Sequence, residues 1–114
     1  MKKAAMMILL GWGLVTTFSW MGYAQGDTYA EGKTLFENKC QICHGSNGRG
    51  DGPAAPALNP RPTDFTDPKF WQGDVDLKIT ETIRKGHPPM PAFNISENEI
   101  KSIIGFMRKA FKKS

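Results

Sequence analysis

Apolar positions repeat at helical spacing most clearly near the C-terminus. Ile100, Ile103, Ile104, Met107 and Phe111 fall three or four residues apart, with Phe106 beside the stripe. Ser96 and Glu99 precede that stripe with the spacing of a capping box, worth around 1 kcal/mol. The pattern predicts a helix whose stripe is core. A second, shorter face comes from Leu77, Ile79, Thr80 and Ile83. It predicts a helix over residues 76–85, with Asp74 as cap and Gly86 just past its end. A third helix is expected from Thr28 to Lys39, with Asp27 as N-cap. Its apolar residues make no clean stripe, but Gly32, Phe36 and Cys40 share one face at a spacing of four. Gly32 is either a point of close approach by another helix or a tolerated interruption costing about 1 kcal/mol.

Between these segments the chain is rich in Gly and Pro. The run DPKFWQG reads as a single turn that tucks Phe70 or Trp71 inward. No stretch alternates like a half-buried strand, and no repeat or low-complexity run occurs. The fold class is therefore all-α with long loops. The loop over residues 48–65 is long for so small a chain, which makes sense if it wraps a ligand that replaces protein core.

The chain has 114 residues, enough for one domain. Its N-terminus carries Lys2 and Lys3, then no charge until Asp27. Gly22 and Ala24 flank Tyr23 in the manner of a signal-peptide cleavage site. Residues 1–24 are expected to be a signal peptide, leaving a domain over residues 25–114. The uncharged stretch over residues 4–26 is also long enough to serve as an uncleaved membrane anchor. Either way the folded part is exported, and a periplasmic location is expected.

Of the net charge of +4, Lys2 and Lys3 supply two. The remaining balance gives no argument for nucleic acid as a partner. Lys101, Arg108, Lys109, Lys112 and Lys113 crowd the C-terminal segment. Cations suit the end of a helix; the sharper reading is a docking face for an acidic partner.

The two cysteines, Cys40 and Cys43, lie three apart, and His44 follows at once. Such a pair serves a redox disulfide, part of a zinc site, or the covalent anchor of a c-type haem. No βαβ unit frames it for disulfide chemistry. Zinc would need four ligands, and adjacent Cys43 and His44 are an awkward pair around one tetrahedral ion even with His87 added. Cys-x-x-Cys-His is the haem attachment signature. One helical turn between the thiols lets both meet the vinyl groups on one porphyrin edge, and the next imidazole can then reach the iron. A second axial ligand is supplied best by Met90 in GHPPMPAF, a loop stiffened by Pro88, Pro89 and Pro91. His87 is the competitor; its plain reading is a solvent-facing loop histidine.

Together, KCQICHG, GDGPAAPAL, NPRPTDF, IRKGHPPMPAF and the terminal IKSIIGFM resemble a class I cytochrome c of the small, bacterial, single-haem type. The resemblance spans residues 27–111. It implies a cytochrome c fold of three to four main helices, with long loops wrapped around one covalently attached haem c. It implies that the first and last helices cross near Gly32, Phe36 and Phe106. It further implies a proline carbonyl hydrogen-bonded to His44, from Pro56 or else Pro53. Leu58 would pack on the haem, and Arg61 and Trp71 would address its propionates. An apolar shell is expected from Phe36, Leu58, Ile83, Phe93, Ile103 and Met107.

The function expected is one-electron transport, with Cys40 and Cys43 as covalent anchors and His44 and Met90 as axial ligands. No residue need act as acid, base or nucleophile, so no enzyme activity is expected. The chain is expected to be a monomer that docks transiently on redox partner proteins, and to meet a membrane only if its N-terminal segment is retained. The alternatives are an electron-entry subunit of a larger oxidoreductase, or a peroxidase or gas-sensing haem protein.

Overall fold

The computed structural model describes residues 28–114, together with Gly11, Gly13 and Leu14. The signal or anchor segment therefore lies outside the described residues, as does the Asp27 cap. Among the described residues four α-helices form: α1 (Thr28–Lys39), α2 (Gln41–His44), α3 (Val75–Lys85) and α4 (Glu97–Phe111). Two 3-10 turns, Ala55–Ala57 and Pro68–Trp71, punctuate the long connection between α2 and α3. No strand occurs among the described residues. The all-α reading holds, and no described helix is long and apolar enough to cross a membrane.

Helix α4 starts on the complete capping box. The Ser96 hydroxyl accepts from the Glu99 N–H at 3.2 Å, and the Glu99 carboxylate accepts from the Ser96 N–H at 2.7 Å. The helix buries more than one stripe. Ser102 and Phe106 meet α1, while Ile103 and Met107 line a cleft on another side.

The α1–α4 crossing is where Gly32 acts. A Cβ built there would overlap the Ser102 carbonyl oxygen and come within 3.0 Å of the Phe106 Cβ. Bare backbone thus lets the two helices touch. Phe36, 1% exposed, sits beside this point with its ring centroid 5.4 Å from Phe106 and 5.2 Å from Phe111. Tyr29 completes the aromatic cluster, 5.4 Å from Phe106. Tilted ring pairs at these separations add to the area term of about 1.5–3 kcal/mol for each large buried side chain.

Helix α3 begins at Val75, with the Asp74 carboxylate accepting from the Leu77 N–H at 3.1 Å. The earlier start corrects the expected face. Val75, Ile79 and Ile83, spaced by four, are buried, and Leu77 is 54% exposed. Gly86 ends the helix at φ +74°, where its N–H reaches the Thr82 carbonyl. Arg108 pairs with Asp76 and lies over the Trp71 ring, tying α4 to α3 and to the Pro68–Trp71 turn.

The C-terminal cations are largely committed within the chain. Lys101 pairs with Glu97 at 2.9 Å and Lys109 stands over the Tyr29 ring at 4.6 Å. With Arg108 engaged as well, three of the five cations have partners within the chain, and only Arg108 and Lys109 lie in the last turn of α4. Each exposed pair contributes little, about 0–1 kcal/mol.

Candidate functional site

Local hydrogen bonding makes α2 a rigid platform. The N–H groups of Cys43 and His44 reach the Cys40 carbonyl at 3.2 and 2.9 Å, so Cys40 and Cys43 stand about a turn apart. A helix this short leaves its C-terminal carbonyls without partners of its own. The glycine-rich loop supplies them. Gly50, Gly52 and Ala54 donate to the carbonyls of His44, Cys43 and Ile42 at 2.8, 3.0 and 2.9 Å. Gly52 has to be bare, because its Cβ would lie 2.7 Å from the Cys43 carbonyl carbon.

The chain then doubles back. The Phe65 N–H bonds the Gly48 carbonyl at 2.7 Å, and residues 59–65 run alongside α2. This return brings the Thr63 carbonyl to His44 Nδ1, 3.3 Å away, and stacks the Phe65 ring on the imidazole at 4.5 Å. A carbonyl only accepts, so Nδ1 carries the proton and Nε2 keeps its lone pair for a metal. Burial holds the imidazole below its ordinary pKa, against the opposing bond to Thr63. A neutral imidazole with its tautomer fixed is the form that binds iron.

Further along the chain, residues 86–93 form a closed turn. The N–H of His87 reaches the Met90 carbonyl at 3.0 Å, and that of Met90 reaches the His87 carbonyl at 2.8 Å. Gly86 and Phe93 fasten the two ends to α3, through the carbonyls of Thr82 and Ile83 at 2.9 and 2.8 Å.

These parts converge on one cleft of about 270 Å³. That is far more than the roughly 10–15 Å³ that a single water, or a bare metal ion, needs on the same measure. Cys40, Cys43, His44, Leu58, Arg61 and Met90 all line it. So do Phe36, Ile83, Phe93, Ile103 and Met107, which with Leu58 make up the expected apolar shell. His87 also lines it, although its side chain is exposed to solvent.

Two expectations differ from what the structure places. Pro56 and Pro53 are exposed, neither lines the cleft, and the carbonyl on His44 belongs to Thr63. The reason is that the stretch over residues 52–57 is spent on the C-terminal carbonyls of α2, and it is the later return through Thr63 that brings a carbonyl to the imidazole. Trp71 is buried, but it does not line the cleft, and its indole N–H is committed to the Phe65 carbonyl at 2.7 Å. Lys39 and Lys78, exposed and lining the cleft with Arg61, are the cations that sequence reasoning missed. Phe65 was missed too, although its motif NPRPTDF stood out; its alternation with prolines carries no sign of which ring it will stack on.

Burial pushes the Cys40 thiol up to about 11, a rise only partly offset by Lys39. Nucleophilic and metal-binding thiolates require the opposite shift. Among the described residues no group of three or more His, Cys, Asp or Glu converges to hold a metal ion. Zinc is therefore a poor fit, and the buried Cys40 thiol is a poor nucleophile for disulfide exchange. A flat apolar macrocycle with carboxylate arms fits better: it finds two thiols, an imidazole, a thioether, an apolar lining and three cations in one cleft.

Comparison with known proteins agrees. Residues 27–107 match the family described as cytochrome C oxidase, cbb3-type, subunit III. Among solved structures, the chain is similar to one in the Kuenenia stuttgartiensis reducing HAO-like protein complex Kustc0457/Kustc0458, with 31% identity and a TM-score of 0.64. That match covers 75% of this chain and 44% of the other, so this chain spans less than half its length. The chain is also similar to the KustC0563 c-type cytochrome, with 28% identity, a TM-score of 0.60, and coverage of 72% of this chain and 98% of that one. A tyrosine-to-phenylalanine mutant of Kustc0563 gives 27% and 0.57, over 68% and 95% of the two chains. No curated protein matches the sequence.

Proposed function

Since the chain belongs to the family described as subunit III of the cbb3-type cytochrome c oxidase, and is thereby a small haem-c electron-transfer protein, we propose that it shuttles single electrons in the periplasm with His44 and Met90 as axial ligands. Haem c, when bound, supplies a one-electron iron couple. The chain's own residues do the rest. Cys40 and Cys43 would anchor the group covalently, and the Thr63 carbonyl orients His44. Arg61, Lys39 and Lys78 would take the propionates, and the apolar shell would limit water.

The observation that carries this reading is the His87–Met90 turn. It brings a methionine to the same cleft as the CxxCH imidazole, on backbone fixed by hydrogen bonds at both ends. A ligand on stiff backbone costs little entropy to order and keeps its place in both oxidation states. Histidine–methionine ligation suits electron transfer and raises the potential. The uncharged segment over residues 4–26 supports export as a cleaved signal or an anchor.

The test is spectroscopic. The matured protein gives a pyridine haemochrome of c-type haem and a weak near-infrared band from thioether-bound ferric iron. Carbon monoxide leaves its ferrous spectrum unchanged near neutral pH. A missing near-infrared band would refute the ligand assignment, and a clear carbon monoxide shift would point to an enzyme or sensor.

The similarity to a chain of a reducing HAO-like complex favours a second reading, an electron-entry subunit of a larger oxidoreductase. Size-exclusion of the native protein separates the two: a free carrier elutes as a monomer, and a subunit elutes with its partners.

A further inference from the structure

The turn that carries Met90 carries a second donor. His87 and Met90 exchange both backbone hydrogen bonds, at 3.0 and 2.8 Å, as an isolated antiparallel pair. Residues directly opposite in such a pair send their side chains to the same face. Both residues line the one cleft. The imidazole makes no hydrogen bond or ring contact among the described residues, so nothing there holds it away.

The turn is also fixed against α3. Gly86 sits at φ +74°, and a Cβ there would meet the Ala92 nitrogen at 2.8 Å and the Met90 carbonyl oxygen at 3.0 Å. Its packing therefore has no room for a side chain. Three prolines within residues 88–91 stiffen what lies between. Donors held this way differ mainly in side-chain rotation, and little backbone entropy opposes an exchange between them.

We propose that His87 is a reserve axial ligand: when the Met90 thioether is lost, the His87 imidazole takes the vacated coordination position. This rests on the His44/Met90 reading above. The preference for sulfur in the intact protein follows from burial. Met90 packs against the core, whereas His87 is solvated and gives up water contacts to turn inward. The consequence is a centre that stays six-coordinate and closed to small ligands, at a lower potential, instead of opening into a gas-binding or peroxidatic site.

The experiment compares three covalently loaded holoproteins: the unaltered chain, Met90→Ala, and Met90→Ala with His87→Ala. Ferric absorption, electron paramagnetic resonance and carbon monoxide binding are read for each. The unaltered chain shows the near-infrared thioether band; its absence there refutes the ligand reading itself, independently of His87. Met90→Ala loses that band and lowers the potential but remains low-spin. The double variant turns high-spin and binds carbon monoxide readily. The proposal is overturned if Met90→Ala alone is high-spin. It is equally overturned if the double variant stays low-spin, which would assign the position to Lys39 or Lys78. Retention of the band in Met90→Ala would assign it to Met107 and also sink the proposal. Should Met90→Ala not mature, Met90→Leu keeps the packing volume, carries no donor, and is read in the same way.

Discussion

Gly32 and Gly105 are both glycines inside helices, and the same change to alanine should move stability in opposite directions. Gly105 lies on the exposed side of α4, with nothing within 4 Å of a built Cβ. Alanine there gains the intrinsic helix preference, about 0.5–1 kcal/mol, because a less flexible unfolded chain loses less on folding. Gly32 gains the same preference but meets backbone. Its Cβ would stand 2.5 Å from the Ser102 carbonyl carbon, where carbon contacts normally begin near 3.5 Å (roughly 1 Å too close). A carbonyl in mid-helix cannot rotate away, so α1 and α4 must part. Parting loosens the rings of Phe36, Phe106 and Tyr29 and the 2.7 Å bond from the Ser102 hydroxyl to Glu31. Overpacking costs about 1–3 kcal/mol, and the strained hydrogen bond adds about 1. After the propensity gain of about 1 kcal/mol, Gly32→Ala is expected to lose about 1–3 kcal/mol. For a domain of this size each kcal/mol moves Tm by about 4–8 °C. Thermal melts of the ferric holoproteins, followed by far-ultraviolet circular dichroism, check the pair. If both variants shift Tm upward, the close crossing at Gly32 is refuted.

Ser96→Ala removes one half of the α4 capping box and should cost about 1 kcal/mol, read from the denaturant midpoint at constant m-value. Glu99 holds its carboxylate below the ordinary range through the Ser96 N–H first and its hydroxyl second. Its folded pKa is thus below its unfolded one, so this contribution is present above the unfolded value and lost as pH falls through the folded one. The stability gap between the unaltered protein and Glu99→Gln should therefore close on acidification, and a gap independent of pH would contradict the cap. Trp71→Phe strands the buried Phe65 carbonyl and should destabilise by about 1–3 kcal/mol. Since the indole does not line the cleft, the reduction potential should stay put, and a shifted potential would return Trp71 to the haem's neighbours. Replacing Cys40 and Cys43 together by alanine should remove haem that survives denaturing electrophoresis, and persistent haem staining would disprove the covalent anchoring.

What could be read from the chain was whatever depends on near neighbours in sequence. The Ser96–Glu99 cap, the Asp74 cap and the Gly86 stop each join groups a few residues apart, so spacing alone identifies them. The Gly32–Phe36–Cys40 face was legible for the same reason, and only its partner on α4 had to come from the family resemblance. The misplaced face of α3 shows how narrow that legibility is. Starting the helix at Val75 instead of the next residue replaces Leu77 by Val75 in the buried set, because the stripe is read by fours from its first member.

The errors at the site have a different origin. The acceptor on His44 is a main-chain carbonyl nineteen residues away, and carbonyls are alike at every position. No side chain announces Thr63; only the return of residues 59–65 against α2 selects it, through Phe65 bonding Gly48 and a bare Gly50 passing Pro62. Trp71 was drawn to the cofactor by its type, yet the same return puts the Phe65 carbonyl within reach of its indole first. A single loop path thus accounts for the unread acceptor, the misassigned tryptophan and the overlooked phenylalanine. Side-chain donors such as Cys40, Cys43, His44 and Met90 can be nominated from sequence because their chemistry is in their identity. The groups that orient them are backbone, and their positions are set by how the chain closes.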